Sequence, residues 1–435
     1  MESPPANRLP PSGAAASAAG APVASRGPGG NNAAAGDAFS RYLRWLGLGI
    51  GAGLGGVMAL NLLVDPLGAY RAVSLAAFAP YRAPQANRQA KAELIARGGC
   101  ETLLLGSSRV LVGLPVDLPS YHSSNVYNLA LSGTTLTETT GVLDFSLRHN
   151  PLRRVVIGLD FHMFSEAREA KSAFATSRFN PHLDLVEYHG RNLFGSQALG
   201  DSWGMLWQKL RRRPPALGER GWVPKSIPRN TSQRELFIQR IQDALVNPGS
   251  DTGYRPSPER LEIFREMVRR CRRDQVELIL FIPPVHALEM EALHAVGLWP
   301  EFERWKTDLL RIVAEEGGAD SVPLWDFTGF TGPVAEPLPS PEDRVTRMKY
   351  YLEVSHFTPA LGRAVVARML GDPASLPADM AGFGVRLTSA TLPAHLAGLR
   401  TNREAFAAAN PEEVALVARL AAAAKGRKSA NVAEF

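Results

Sequence analysis

Thr102-Leu103-Leu104-Leu105-Gly106-Ser107-Ser108-Arg109 reads as a short buried strand that breaks at a glycine and delivers two serines to the turn beyond it. Ligands and reactive groups in open α/β sheets collect at the carboxyl ends of strands. Ser108 is therefore a candidate nucleophile. Small polar residues also cap such turns, and that simpler role stays open for Ser107 and Ser108. Far along the chain, Glu353-Val354-Ser355-His356 supplies the carboxylate and imidazole that an attacking serine needs.

Working outward from this strand, apolar runs alternate with helical patterns, which predicts an α/β domain over residues 88–372 with a mostly parallel, five-stranded sheet. Strands are expected at Glu101–Gly106, Asn125–Leu131, Arg154–Asp160, Val276–Ile282 and Ser321–Asp326, with a helix over Leu136–His149. Ser257-Pro258 opens another helix, whose apolar face is Leu261, Phe264, Val268 and Cys271. Thr358 and Pro359 start the last core helix, which Gly371 stops. The pattern breaks over about 165–255, a stretch rich in aromatics and prolines that includes Trp203, Trp207 and Trp222. A mostly helical insertion is expected there. Residues 373–435 read as a helical extension, with a helix over Pro411–Lys425, and a polar tail.

Ahead of the domain, residues 1–40 are mostly Ala, Gly, Pro, Ser and Asn and are expected to be disordered. From Trp45 to Val64 the chain carries no charge, enough for a helix across the ~30 Å hydrocarbon core of a bilayer. Its many glycines suit a membrane span better than a helix in water. Arg41 and Arg44 precede the run and Asp65 follows it. That bias predicts a single-pass anchor over residues 41–65 in the plasma (inner) membrane. The amino terminus would be cytoplasmic and the body periplasmic or extracellular.

The net charge is +6 and only two cysteines, Cys100 and Cys271, are present. Both read as buried free thiols. Zinc-ligand spacings, HExxH and a Walker loop are all missing from the sequence, so no metal or other cofactor is expected. The arginine clusters read as solvated helix faces, and with the body exported no nucleic-acid partner is expected.

These blocks together resemble the SGNH (GDSL-like) hydrolase superfamily, a three-layer, flavodoxin-like α/β sandwich. Gly106-Ser107-Ser108 is similar to its first block, with Ser108 on the nucleophile. Asn128-Leu129-Ala130-Leu131-Ser132-Gly133 is similar to the second, with Gly133 on the glycine whose N–H lines the oxyanion hole. Glu353-Val354-Ser355-His356 is similar to the last, Asp-x-x-His, with glutamate for aspartate. The Gly-Ser-Ser form and the anchor resemble the D-alanyl-lipoteichoic-acid transfer proteins and, more distantly, the exported alginate O-acetylation proteins. The resemblance implies a serine esterase or O-acyltransferase acting on an envelope glycan or lipid-linked polymer through Ser108, His356 and Glu353. It equally allows a non-catalytic subunit that partners a membrane-bound O-acyltransferase. One departure matters. The third block normally offers an asparagine donor, and Asp160 stands in its place. Either Asp160 is protonated, or the N–H groups of Gly133 and Ser108 serve alone, or the site is degenerate.

Rival assignments remain. Asp160 and His162 form a competing Asp-x-His pair. His286 lies past another strand end and is expected at the pocket. Arg109 either neutralises an anionic substrate or solvates the turn. Gly133 is equally well a turn glycine. Asp326 reads as a loop cap, and His122, His149, His182, His189, His294 and His395 as structural or solvated.

Overall fold

The computed structural model describes residues 30–82, 87–213, 220–246, 253–318, 322–372, 374, 376–380 and 382–433. Most of the segment expected to be disordered lies outside these residues, as does Ser321. The chain divides into two compact units, Met1–Gly56 and Val57–Phe435.

Among the described residues, one helix, Gly36–Val64, is long and apolar enough to cross a membrane. It is the core of a longer helix that starts at Gly30, well before the expected Arg41. The alanines at 33–35 favour helix, and the polar residues ahead of Arg41 do not break it.

The larger unit is built on a six-stranded, mostly parallel sheet. Its strands are β1 (Thr102–Leu105), β2 (Val126–Asn128), β3 (Arg154–Gly158), β4 (Glu277–Ile282) and β5 (Leu324–Asp326). Two strands of a separate hairpin follow, β6 (Tyr351–Glu353) and β7 (His356–Phe357), and then β8 (Val385–Leu387). The order in the sheet is β2-β1-β3-β4-β5-β8. The first five strands are parallel, in register Thr102 to Val126 and Leu105 to Ile157. β8 closes the far edge antiparallel, Leu324 opposite Leu387. The expected count of five is thus one short, because the extension read as helical also contributes a strand. Three residues carry too little alternation to be recognised, yet they cover an edge whose N–H and C=O groups would otherwise be unpaired. The extension also carries the helices Leu392–Ala409 and Pro411–Ala433.

The parallel strands read as continuous apolar runs because both faces are covered, and all four residues of β1 are buried. Between β3 and β4 the described residues form five α-helices, Ser172–Ala175, Leu185–Phe194, Ser196–Leu210, Gln233–Val246 and Pro258–Arg273. β2 and β3 leave β1 in opposite directions, so the carboxyl ends of β1 and β3 flank the topological switch point, where open α/β sheets form crevices. Gly106 makes the exit from β1 possible. Its φ is +140°, and a Cβ there would come within 2.6 Å of Val110 Cγ2 and 2.9 Å of the Gly158 carbonyl oxygen.

Cys100 and Cys271 are free and buried, and burial pushes both thiols up to about 12. Under β5, Lys306 and Asp326 form an ion pair with neither side chain exposed, Nζ to Oδ2 2.6 Å. Asp326 also accepts from Thr328 N–H at 2.9 Å and His395 Nε2 at 2.8 Å. Asp326 is therefore more than the expected loop cap, and His395 has a defined partner. Burial disfavours the Asp326 charge, but Lys306 and His395 outweigh it and hold the carboxyl well below its usual range. Lys306→Met strands that charge in the core and is expected to destabilise the unit by about 3–5 kcal/mol. The double variant Lys306→Met/Asp326→Leu, which removes both charges, should recover most of the loss in chemical unfolding. No recovery would mean that the pair is not the reason.

Candidate active site

Ser107 and Ser108 begin the short helix Ser108–Gly113 directly after β1. The Ser107 hydroxyl caps it by accepting from the Arg109 N–H at 3.2 Å. Ser107 therefore fills the simpler capping role, and Ser108, half-buried, stands one residue further in. The Glu-x-x-His motif forms a small hairpin, β6–β7, outside the main sheet. Its turn brings Glu353 back to His356, whose Nδ1 donates to Glu353 Oε1. The Ser355 N–H donates to Glu353 Oε2 at 3.0 Å and fixes the carboxylate. Burial works against the Glu353 charge, but the His356 hydrogen bond prevails and holds the carboxyl below its ordinary value.

Ser107, Ser108, Ser132, Gly133, Asp160, His162 and His356 all line one cavity of about 350 Å³. The His356 Nε2 is buried and has no hydrogen-bond partner, so no Ser108–His356 hydrogen bond is formed. Nucleophile–base bonds in unliganded sites are often open and tighten when substrate arrives.

Gly133 has φ +62°, and a Cβ there would meet only Lys171 Cε at 3.5 Å and Arg168 at 3.9 Å. The backbone leading to it is fixed by two buried basic side chains. Lys91, fully buried, donates to the Asn128 and Ala130 carbonyls at 2.8 and 2.7 Å. Arg88 donates to the Ser132 carbonyl at 3.2 Å and to Glu138 Oε1 at 2.7 Å. Glu138 in turn completes a capping box with Thr135 on helix Leu136–His149. A rigid loop of this kind is what preorganised donors require, and it follows from side chains outside the recognised block.

Asp160 sits at the end of β3 and is nearly fully buried. Burial raises its pKa, but the Arg109 guanidinium and the Ser107 hydroxyl more than offset this and leave it below the ordinary carboxylate value. Of the three options for Asp160, protonation is the one removed. It is an ionised acceptor and cannot donate to an oxyanion. It is also paired with Arg109, and His162, the other member of the rival Asp-x-His pair, lines the same cavity.

Arg109 takes neither of the two roles expected for it. Its guanidinium reaches Asp160 Oδ1, Glu289 Oε1 and, at 3.2 Å, the Ser355 carbonyl. One side chain thus ties the serine helix to the end of β3, to helix Ala287–Val296 and to the hairpin that carries His356. Glu289, absent from the sequence reading, lines the cavity from the first turn of that helix. Its signal was its place a few residues past the carboxyl end of β4.

His286 is displaced from the role expected of it. Its Nδ1 accepts from the Leu288 N–H at 3.2 Å and its Nε2 donates to the Glu336 carbonyl at 2.8 Å. It does not line the cavity. Burial lowers its pKa to about 4, so it stays neutral. Its N–H donates to the Val354 carbonyl at 3.0 Å, which makes it a support for the hairpin.

Among the described residues, no group of three or more His, Cys, Asp or Glu side chains is placed to hold a metal ion. The chain matches no model of a known protein family and no curated protein. The chemistry of the site therefore rests on its geometry. An oriented imidazole with an unpartnered Nε2, a serine past a strand end and a glycine loop line one polar cavity.

Proposed function

We propose that this chain is a membrane-anchored serine esterase or O-acyltransferase of the SGNH (GDSL-like) kind. Its body would be exported and would act on cell-envelope glycan or lipid-linked polymer. The observation that carries this reading is the Glu353–His356 pair, whose unpartnered Nε2 belongs to the same cavity as Ser108. The helix Gly36–Val64 supports the anchor. Arg168, Lys225 and Arg240 at the cavity suit a polymer that carries anionic groups.

Ser108 Oγ attacks the ester carbonyl while His356 Nε2 takes its proton. The tetrahedral oxyanion is received by the N–H groups of Ser108 and Gly133. Collapse breaks the C–O bond, and His356 returns the proton to the leaving alkoxide. Water or a sugar hydroxyl, deprotonated by His356, then attacks the acyl-serine and releases Ser108. Glu353 keeps the proton on Nδ1 throughout. With Asp160 ionised, the hole lacks one side-chain donor, whose absence costs about 3 kcal/mol of transition-state stabilisation in sites that have it. Turnover is accordingly expected to be modest.

A second reading, a non-catalytic subunit beside a membrane-bound acyltransferase, is favoured by that same Asp160 carboxylate. A fluorophosphonate probe separates the two. Labelling of the full-length protein in detergent should vanish in Ser108→Ala and persist in Ser107→Ala. Folded wild-type protein that takes up no label would decide for the non-catalytic reading.

A further inference from the structure

The larger unit includes the last two turns of the apolar helix, residues 57–64, and these are built into its fold. Asn61, fully buried, donates from Nδ2 to the Leu193 carbonyl at 2.9 Å and accepts at Oδ1 from the Ser202 hydroxyl at 2.8 Å. Val64 joins Phe78 and Met205 in a small core of its own. The Leu75 N–H donates to the Leu63 carbonyl at 2.8 Å. The one polar side chain in the second half of the apolar run is thereby explained. It locks the run's end to helices Leu185–Phe194 and Ser196–Leu210.

Around this lock the surface is apolar. Leu63, Leu75, Phe194, Trp203, Trp207 and Leu210 are all exposed, Trp203 at 61% and Leu210 at 65%. Trp203, Trp207 and Leu210 follow i, i+4, i+7 spacing and form one face of helix Ser196–Leu210, while Ser202 and Met205 on its other side are buried. Beyond this face come Lys209, Arg211, Arg212 and Arg213 with no acidic residue among them, and the Arg211 guanidinium stacks 4.7 Å from the Trp207 ring. Indole rings beside basic side chains are the signature of the layer between lipid headgroups and water.

We propose that this face lies in the headgroup layer of a bilayer that contains anionic lipid. The claim rests on the reading of Gly36–Val64 as a membrane span and adds a second contact to it. Chain continuity selects the occupant, because any bilayer that the helix enters ends against the residues that hold Asn61 and Leu63. Charge complementarity to anionic headgroups does the same. The body is then held against the membrane by two elements and does not swing on a single tether, and acyl esters are met close to the lipid surface.

The test uses full-length protein in phosphatidylcholine vesicles with phosphatidylglycerol. Cys100 and Cys271 are buried, so a thiol-reactive nitroxide goes to an introduced cysteine. Trp207→Cys and Leu210→Cys report the face, Leu48→Cys reports the span, and Val345→Cys, at a site 83% exposed, reports water. The labels at 207 and 210 should be open to oxygen and should lose contact with an aqueous nickel complex, as at 48 and unlike 345. Labels at 207 and 210 that behave like 345, with 48 in lipid, would overturn the docking face and leave the anchor standing. A label at 48 that is open to nickel would remove the anchor and the proposal together. Labels at 207 and 210 shielded from both reagents would mean that protein, a second copy, covers the face.

Discussion

Changing His356 to Ala is expected to lower ester turnover by a factor of about 10⁶, the loss typical of a serine or histidine removed from such a triad. The effect is large because His356 shares the cavity with Ser108 and its ring is held by Glu353, which the Ser355 N–H fixes in turn. Glu353→Gln probes the same assembly with less disturbance. An amide can donate to Nδ1, which shifts the ring proton to Nε2 and leaves no acceptor for the serine. A loss of about 10⁴-fold is expected. Both variants should unfold at wild-type denaturant concentrations to within a small shift, since the hairpin keeps its backbone pairing. Glu353→Gln with undiminished turnover would show that the carboxylate does not set the tautomer. His356→Ala with undiminished turnover would remove the mechanism.

Replacing Arg109 by Met should cost about 3–5 kcal/mol of stability, since two largely buried carboxylates, Asp160 and Glu289, lose their cation together. The acid dependence gives this prediction a signature of its own. Asp160 has a folded-state pKa below its unfolded value, so its contribution is complete above about pH 4 and is lost as pH falls through the folded value. Without Arg109, burial drives the Asp160 pKa upward, and acid relieves the variant by protonating it. The stability gap between wild type and Arg109→Met should therefore begin to narrow above about pH 4, as the variant's Asp160 is protonated, and narrow further below about 4, as the wild type loses its pair. Arg109→Lys retains the charge but lacks the planar fork that reaches three acceptors, and should fall between the two. Unfolding free energies measured against pH decide the matter, and a gap that stays constant with pH would refute the ion-pair account.

Parts of this architecture were legible before any coordinates. The five parallel strands were expected close to where they lie, because both faces of such a sheet are apolar and the runs stand out against their neighbours. Some of their ends were read long by one to three residues, while Arg154, Ile282 and Asp326 end their strands as expected. Leu129 and Leu131 keep hydrogen bonds to the Leu104 and Gly106 carbonyls after β2 has formally ended, so apolar character outlasts the ladder. The starts of helices Leu136–His149, Pro258–Arg273 and Pro359–Met369 were legible as well; Ser257 caps its helix as expected, whereas the Thr358 hydroxyl donates to the Lys349 carbonyl and does not cap. β8 was not, because three residues hold no period.

The candidate site divides in the same way. Ser108, Gly133, Glu353 and His356 could be singled out because each lies in a local pattern: a strand end, a glycine turn or an acid-x-x-His. The i,i+3 spacing of Glu353 and His356 already placed those two within reach of one another. Arg109 and Asp160 were noticed without their partners, His286 was expected at a cavity it does not line, and Glu289 was missed.

The sequence by itself determined the apolar helix, the parallel strands, and the serine and the histidine placed at the ends of elements. All of these depend on contrasts between residues close together in the chain. Only the tertiary structure decided which charges meet. Arg109 binds Asp160, 51 residues away, and Glu289, 180 residues away, and Lys306 finds Asp326 beneath the sheet. Ion pairing is set by ångström distances and by exclusion of water, and neither is written in the order of residues.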